Sequence, residues 1–569
     1  MLDTTLATAF IPSTNLKWNV TGANWSFLLP SLELEQIVCL GTTRLPTLAT
    51  LSRIGRDVAV ICANARQLHQ TGEAIRHSGA ANIRLMIANG HGTLPLVGGS
   101  ADLVLVSGGN ARRLNRDRAL RAELERVLKP AGLIYFEFGG PIAQLFGRGA
   151  TDNFIEGWGA PRVFWLTPLA GEMHTAVLLR DHETIGYFLR HALYSPPIRL
   201  RVFKRAERYL GRRLVYSRFA RRCGALVGRT AHSIDAPPQY LRSIAQAAGI
   251  DISRHRWGLS ATGEYSSRKV LFFLFNRAGN SPEYIVKMVR DPALNPRLEN
   301  EYRALARLHE KGIGDRETLP QAVFFGQHGG LAIVGETMID GVPFRQRTRA
   351  TAGCSYVRAA IDWLIDLGAA TADRTSAAPA QVASGLETLF RRFVQVYRLA
   401  PPHRDFLADQ IAAIGRSREA FPLVFQHGDP GAWNVVVTRS GRVAFLDWEA
   451  AEPQGLPLWD LFYFLRSYCV GAARARGTRN RLAGFAQHFL AESPLSQLVI
   501  ESTRRYCERI ALPAPLVEPL FHTCWMHRAL KESTRLTPAK LESGHYVSLL
   551  RLCIEQRDAP TLNRLFSLE

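Results

Sequence analysis

The stretch that most limits what this chain can fold into is Phe425-Gln426-His427-Gly428-Asp429-Pro430-Gly431-Ala432-Trp433-Asn434, followed by Asp447-Trp448-Glu449. The apolar run PLVF leads into His-Gly-Asp, and Asn434 stands five residues after Asp429. The next run, NVVVTRSGRVAFLDW, reads as a hairpin: VVV, a turn at Arg439-Ser440-Gly441, then VAFL. Its second strand delivers Asp447 at its end, so Asp429, Asn434 and Asp447 can share one small volume. Such an oxygen set suits Mg²⁺, which takes few protein ligands and leaves room for substrate phosphates. One carboxylate is then free to orient a hydroxyl for phosphoryl transfer. The plainer alternative is a hairpin whose Asp and Asn only shape turns.

At 569 residues the chain is long enough for two or three domains. Its 47% hydrophobic and 21% charged residues are an ordinary globular composition. A formal charge of +21 points to an anionic partner, or else to a generally arginine-rich chain. The eight cysteines show no Cys-x-x-Cys and no metal-like spacing, which favours a reducing compartment over a disulfide framework. The first residues lack a basic segment followed by a continuous apolar one, and no run is long enough for a spanning helix. A cytoplasmic location is therefore expected.

Residues 33–138 alternate strand-like runs (EQIVCLG, DVAVICA, NIRLMIA, ADLVLVSGG, GLIYFEF) with helix-like ones, the pattern of a parallel sheet covered by helices. RVFWLTP and EMHTAVLLR add an expected antiparallel edge. This ordering resembles the class I S-adenosylmethionine methyltransferases, with Leu94–Val104 and Leu128–Ile134 as fold-marking segments. The family's cofactor segment usually carries an acidic residue and three spaced glycines. Cys39-Leu40-Gly41-Thr42-Thr43-Arg44-Leu45 keeps one glycine, and Ile61-Cys62-Ala63-Asn64 lacks the carboxylate that would meet a ribose diol. The domain is accordingly read as degenerate.

From Arg199 to Arg222 the chain carries ten Lys or Arg and one Glu, interleaved with Leu200, Phe203, Leu210, Leu214 and Phe219 at roughly helical spacing. Such a helix can bridge domains with its arginine stems on apolar surface, or lie on an anionic membrane. No nucleic-acid module surrounds it, and no specific nucleic-acid partner is expected.

Further on, HRWGLSAT, SRKVLFFLFN and EYIVKMVR read as an antiparallel meander, with Lys287 in mid-strand. A buried lysine needs a partner. The following helix, NPRLENEYRALARLH, offers Glu299 or Glu301. Two more strands, QAVFFGQ and LAIVGETMI, precede a long helical region. Together with the His427 motif these residues resemble the aminoglycoside phosphotransferase family of kinase-like enzymes, over about residues 255–470.

That resemblance implies Asp429 as catalytic base, Asn434 and Asp447 on Mg²⁺, Lys287 on a nucleotide phosphate with Glu301 as its anchor, His427 bracing the loop, and Asp460 as a supporting carboxylate. It places the connection between two lobes at Glu336-Thr337-Met338-Ile339. The turn at Leu259–Ser267 lacks the glycine density of protein kinases, and Ala432-Trp433 stand where relatives often have Pro-Gly. In the helical tail the acidic residues that would suit a cationic aminoglycoside are few, which leaves a sugar, lipid-linked glycan or other hydroxylated acceptor.

The expected architecture is multidomain, α/β plus α+β. A Rossmann-like methyltransferase-type domain (1–182) is followed by a basic helical linker (183–250), a kinase-like N-lobe (251–345) and a C-lobe with a helical acceptor region (346–569). The expected activity is ATP- and Mg²⁺-dependent phosphotransfer to a hydroxyl of a small molecule or glycan. Two alternatives are a bifunctional methyltransferase–kinase using S-adenosylmethionine, resembling enzymes that terminate polysaccharide chains, and a non-catalytic scaffold held to the inner face of the membrane through residues 199–222.

Overall fold

A computed structural model describes residues 20–41, 44–76, 81–87, 93–106, 117–137, 162–169, 172–178, 181–190, 222–228, 236–261, 269–375, 377–417 and 421–569. They fall into two compact units. One runs to Glu299 and adds Ala322–Met338; the other holds Asn300–Gln321 and Ile339–Glu569.

The first unit is built on one 13-stranded sheet. Its parallel part comprises β1 (Leu34–Leu40), β2 (Gly55–Cys62), β3 (Ile83–Ile87), β4 (Ala101–Val106) and β5 (Leu128–Glu137), in the order β3-β2-β1-β4-β5. These strands are near-continuous apolar runs because both faces are covered. Val38, Leu40, Ala59, Ile61, Val104, Val106, Ile134 and Phe136 form one buried cluster, closed by Leu124 and Val127 of the helix Arg118–Val127. Asp117 starts that helix by accepting the Leu120 N–H at 3.0 Å. The two fold-marking segments meet through Asp102: its carboxylate accepts the N–H groups of Glu35 and Gln36 at 2.8 and 2.9 Å and pairs with Lys129 at 2.7 Å.

The sheet then turns antiparallel. Strands β6 (Arg162–Leu169) and β7 (Glu172–Leu178) form the expected hairpin, but it is not an edge. β8 (Arg222–Gly228) inserts between β5 and β6, antiparallel to both. On the other side, β7 pairs with β9 (Arg256–Ser260) in the register Thr175↔Ser260, Ala176↔Leu259, Val177↔Gly258. The meander β9, β10 (Lys269–Phe275), β11 (Pro282–Val289) then leads through β13 (Leu331–Thr337) to β12 (Ala322–His328). A strand edge satisfies its backbone groups by recruiting another strand, and here that makes the methyltransferase-type and kinase-type strands one continuous sheet. Residues 199–221, 42–43 and 262–268, with the basic helix, part of the glycine segment and most of the covering turn, lie outside the described residues.

The second unit is mainly helical, with small sheets that carry the loops. β14 (Gly341–Pro343), β16 (Val435–Thr438) and β17 (Val443–Phe445) form one sheet; β15 (Val424–Gln426) and β18 (Glu452–Gly455) form another. Helices Trp459–Ala475 and Val517–Ser533 are buried almost all round, with Phe521 packed edge-on to Trp525 at 5.6 Å and to Phe462 at 5.2 Å. Among the described residues no helix is long and apolar enough to cross a membrane, and seven buried cysteines are free thiols.

Candidate active site

The hairpin read from the sequence forms, in the register Val435↔Phe445, Val436↔Ala444 and Val437↔Val443. The Leu446 N–H donates to the Asn434 carbonyl at 2.8 Å, closing the hairpin where Asp447 leaves it. Asp447 sits at φ 69, a left-handed conformation uncommon for a residue with a Cβ. Strain of that kind is held in place only by its surroundings and is typical of functional turns. Directly after it, the Trp448 N–H donates at 3.0 Å to the carboxylate of Glu301, whose side chain is fully buried.

Asp429 is positioned from several sides. The Asn434 Nδ2 donates to the Asp429 carbonyl at 2.9 Å and to its carboxylate Oδ2 at 3.3 Å. With its amide nitrogen committed in this way, Asn434 is left with Oδ1 to face a cation. Arg528, on the buried helix Val517–Ser533, brings its guanidinium to 3.8 Å from Asp429 Oδ1 and lies over the Tyr463 ring at 3.4 Å. Sequence reasoning missed Arg528, which is remote in the chain. The available signal was an arginine inside the apolar run HTCWMHRAL.

The backbone of the loop is gripped by Asp460. Its carboxylate accepts the His427 N–H at 2.5 Å and the Gly428 N–H at 3.1 Å, and burial pushes the Asp460 carboxyl up from its ordinary value. Gly428 stands at φ 76, and a Cβ there would fall 1.9 Å from the Ala450 carbonyl oxygen, so only glycine fits. His427 is fully buried against Trp448, with ring centroids 4.4 Å apart. Its Nδ1 accepts the Asp429 N–H at 3.2 Å, which leaves Nε2 as the protonated nitrogen donating to the Leu446 carbonyl at 3.0 Å. Both ring nitrogens are thereby occupied with backbone, so this imidazole braces the loop.

In the other unit, Lys287 projects from β11 and is 7% exposed. It forms an ion pair at 2.5 Å with Glu336, a β13 residue that sequence reasoning placed in a strand and in the connecting segment but not beside Lys287. Lys287 and Glu301, expected as partners, belong to different units, and the chain passes from one unit to the other between Met338 and Ile339, within the connection expected at Glu336–Ile339.

Among the described residues no three His, Cys, Asp or Glu side chains group to hold a metal. The candidate set is the Asp447 carboxylate and the Asn434 amide oxygen, both hard donors. A donor set this small fits Mg²⁺, which draws its remaining oxygens from phosphates and water.

Two family models match the chain: the phosphotransferase enzyme family over residues 262–492 and the ubiE/COQ5 methyltransferase family over residues 33–154. No curated protein matches. Among solved structures, the chain is similar to a SAM-dependent methyltransferase from Aquifex aeolicus, at 18% identity over 29% of this chain and 95% of that one, TM-score 0.22. It is also similar to the bifunctional kinase-methyltransferase WbdD, at 12% identity over 92% of this chain and 88% of that one, TM-score 0.24. A third is the spermidine synthase from Thermotoga maritima, at 10% identity over 37% and 56%, TM-score 0.21. At TM-scores of this size the family matches carry the assignment and the superpositions do not. The chain thus carries a domain of the phosphotransferase enzyme family in its C-terminal half, making it a kinase by class, and a domain of the ubiE/COQ5 methyltransferase family ahead of it.

Proposed function

We propose that the chain transfers the γ-phosphate of ATP to a hydroxyl of a small molecule or glycan. The observation that carries this reading is the Asp429 carboxylate, oriented by Asn434 and Arg528 on a loop whose backbone Asp460 and His427 hold in place. Phosphoryl transfer asks little covalent chemistry of the protein and much positioning. Asp429 accepts the proton of the acceptor hydroxyl as its oxygen bonds to the γ-phosphorus, and the bond to the bridging oxygen breaks to release ADP. Asn434 and Asp447 would hold Mg²⁺, which when bound neutralises charge on the phosphates. Lys287, paired with Glu336 on the neighbouring strand, is assigned to a nucleotide phosphate oxygen. Cytoplasmic location and contact with an anionic membrane through residues 199–222 belong to the same proposal.

A degenerate methyltransferase-type domain is supported by the end of β2. The Gln67 N–H donates to Asn64 Oδ1 at 2.9 Å, and the Gln67 side chain accepts the Ala63 N–H at 2.7 Å. Asn64 therefore caps the helix Ala65–Arg76 at the point where a ribose-binding carboxylate is expected. The family match over residues 33–154 favours, as a second reading, a domain that still binds S-adenosylmethionine.

The test is ATP turnover by the purified full-length protein with a panel of hydroxylated acceptors, for wild type, Asp429→Asn and Asp447→Asn. Acceptor-dependent turnover lost in both variants is expected; turnover equal to wild type in either one refutes the assignment. Calorimetric titration with S-adenosylmethionine decides the second reading.

A further inference from the structure

We infer that the phosphotransferase unit takes an acceptor bearing a phosphate, and that Arg345, Arg474, Arg479 and Arg481 hold that phosphate beside the catalytic loop. The inference rests on the phosphotransferase reading and adds the charge class of the acceptor.

Two arginine-rich segments without any carboxylate converge here. Residues 461–491 contain five arginines and no Asp or Glu; residues 341–361 contain four arginines and no Asp or Glu. The segments are pinned together within one unit. Phe344 packs on Phe464 with centroids 5.9 Å apart, and the Tyr468 hydroxyl lies 2.6 Å from the Arg349 carbonyl and 2.8 Å from that of Thr351. Arg474, Arg479 and Arg481 line a surface cavity of about 520 Å³ around Gly477.

Arg345 links this cavity to the site. Its guanidinium lies 5.8 Å from the centroid of Trp433, the residue before Asn434, and Trp433 is 46% exposed. Although Arg345 reaches solvent, partial burial and then the positive charges of Arg474 and Arg481 hold its guanidinium below the ordinary value.

Several arginines of this unit are matched with carboxylates: Arg358 with Glu501, Arg505 with Asp362, Arg509 with Asp366, Arg551 with Glu542. Among the described residues, none of Arg345, Arg474, Arg479 and Arg481 has such a partner. Clustered like charge raises the free energy of the empty protein, and an oxyanion relieves it. The guanidinium fork matches phosphate and carboxylate oxygens in bidentate geometry. Several arginines exceed what one carboxylate can neutralise, whereas a phosphate monoester carries close to two charges. A cationic aminoglycoside would be repelled.

Calorimetry on the full chain with Mg²⁺ and saturating AMP-PNP, so that the nucleotide site is filled, tests this with glucose 1-phosphate, glucose and galacturonate as probes. Glucose 1-phosphate should bind at least about tenfold more tightly than the other two, and Arg474→Gln/Arg481→Gln should weaken it at least about tenfold. Arg474→Lys/Arg481→Lys should recover only part, since charge returns without the fork. Equal binding of all three probes, or unchanged affinity in the Gln variant with a wild-type melting temperature, overturns the proposal. So does binding to phosphatidylglycerol vesicles with none to glucose 1-phosphate, which would make the patch a lipid contact. Stabilisation of wild type by Mg–ATP is read separately. If it is absent the phosphotransferase reading fails; if it is present while glucose 1-phosphate does not bind, only the acceptor inference fails.

Discussion

Asp460 takes the backbone N–H of His427 at 2.5 Å, so a carboxylate at the start of one buried helix sets the conformation of a loop 33 residues earlier. The same carboxylate takes the next N–H, of Gly428. Two consecutive backbone donors pointing at one acceptor leave no room for a donor in its place.

Asp460→Asn is therefore expected to cost about 2–3 kcal/mol, because hydrogen bonds to a charged acceptor are lost and an amide N–H faces an N–H. Differential scanning fluorimetry should show a lowered melting temperature, and turnover should fall with little change in the KM for ATP. A variant as stable and as active as wild type would show that the loop holds without this grip.

Gly428→Ala tests the same turn sterically. The added methyl lands on the Ala450 carbonyl, in a left-handed conformation already unfavourable for alanine. Loss of more than about 3 kcal/mol, or insoluble protein, is expected. Gly441→Ala is the matched comparison: φ is 84 there too, but a Cβ meets nothing, so only about 1–2 kcal/mol should go.

Arg528→Met should keep the packing over Tyr463 while removing the charge beside Asp429. A fall in kcat of roughly 100-fold with an unaltered KM for ATP is expected, the scale seen when one electrostatic partner of a reacting group is removed. Arg528→Lys should restore part of it. A pure loss of stability, with kcat intact in the folded fraction, would reduce Arg528 to a packing role.

Breaking the Lys287–Glu336 pair from either side leaves one buried charge without its strand neighbour's countercharge. Glu336→Gln and Lys287→Met should each destabilise by about 3–5 kcal/mol if the pair acts through structure alone. On the phosphotransferase reading Lys287→Met also raises the KM for ATP at least about tenfold. Measuring the melting temperature and ATP kinetics on both variants separates these effects.

Acid should weaken the helical unit through His522. Burial holds this imidazole down at about 4 from an ordinary 6.5, with its Nδ1–H donated to the Glu518 carbonyl at 3.0 Å. Between those values the unfolded chain binds the proton and the folded one does not. The stability it contributes is thus full above about pH 6.5 and is lost progressively down to about pH 4, roughly 3 kcal/mol in all. His522→Leu should flatten the melting temperature over that window; an unchanged pH profile would rule the group out.

The local periods of the sequence by themselves determined the alternating strands and helices of residues 33–138, the meander with Lys287, the helix carrying Glu301, and the Asn434–Asp447 hairpin. Each is legible because period 2 or 3.6, a turn residue or a capping residue acts within a few positions. Tertiary structure alone decided what those elements meet. β8 comes from a stretch read as linker and enters between β5 and β6, and β7 pairs with β9 where an edge was expected. Glu336 reaches Lys287 across strands, and Arg528 reaches Asp429 from a helix read only as apolar. Strand partners and buried ion pairs depend on register and on the packing of distant segments, and neither leaves a periodic trace along the chain.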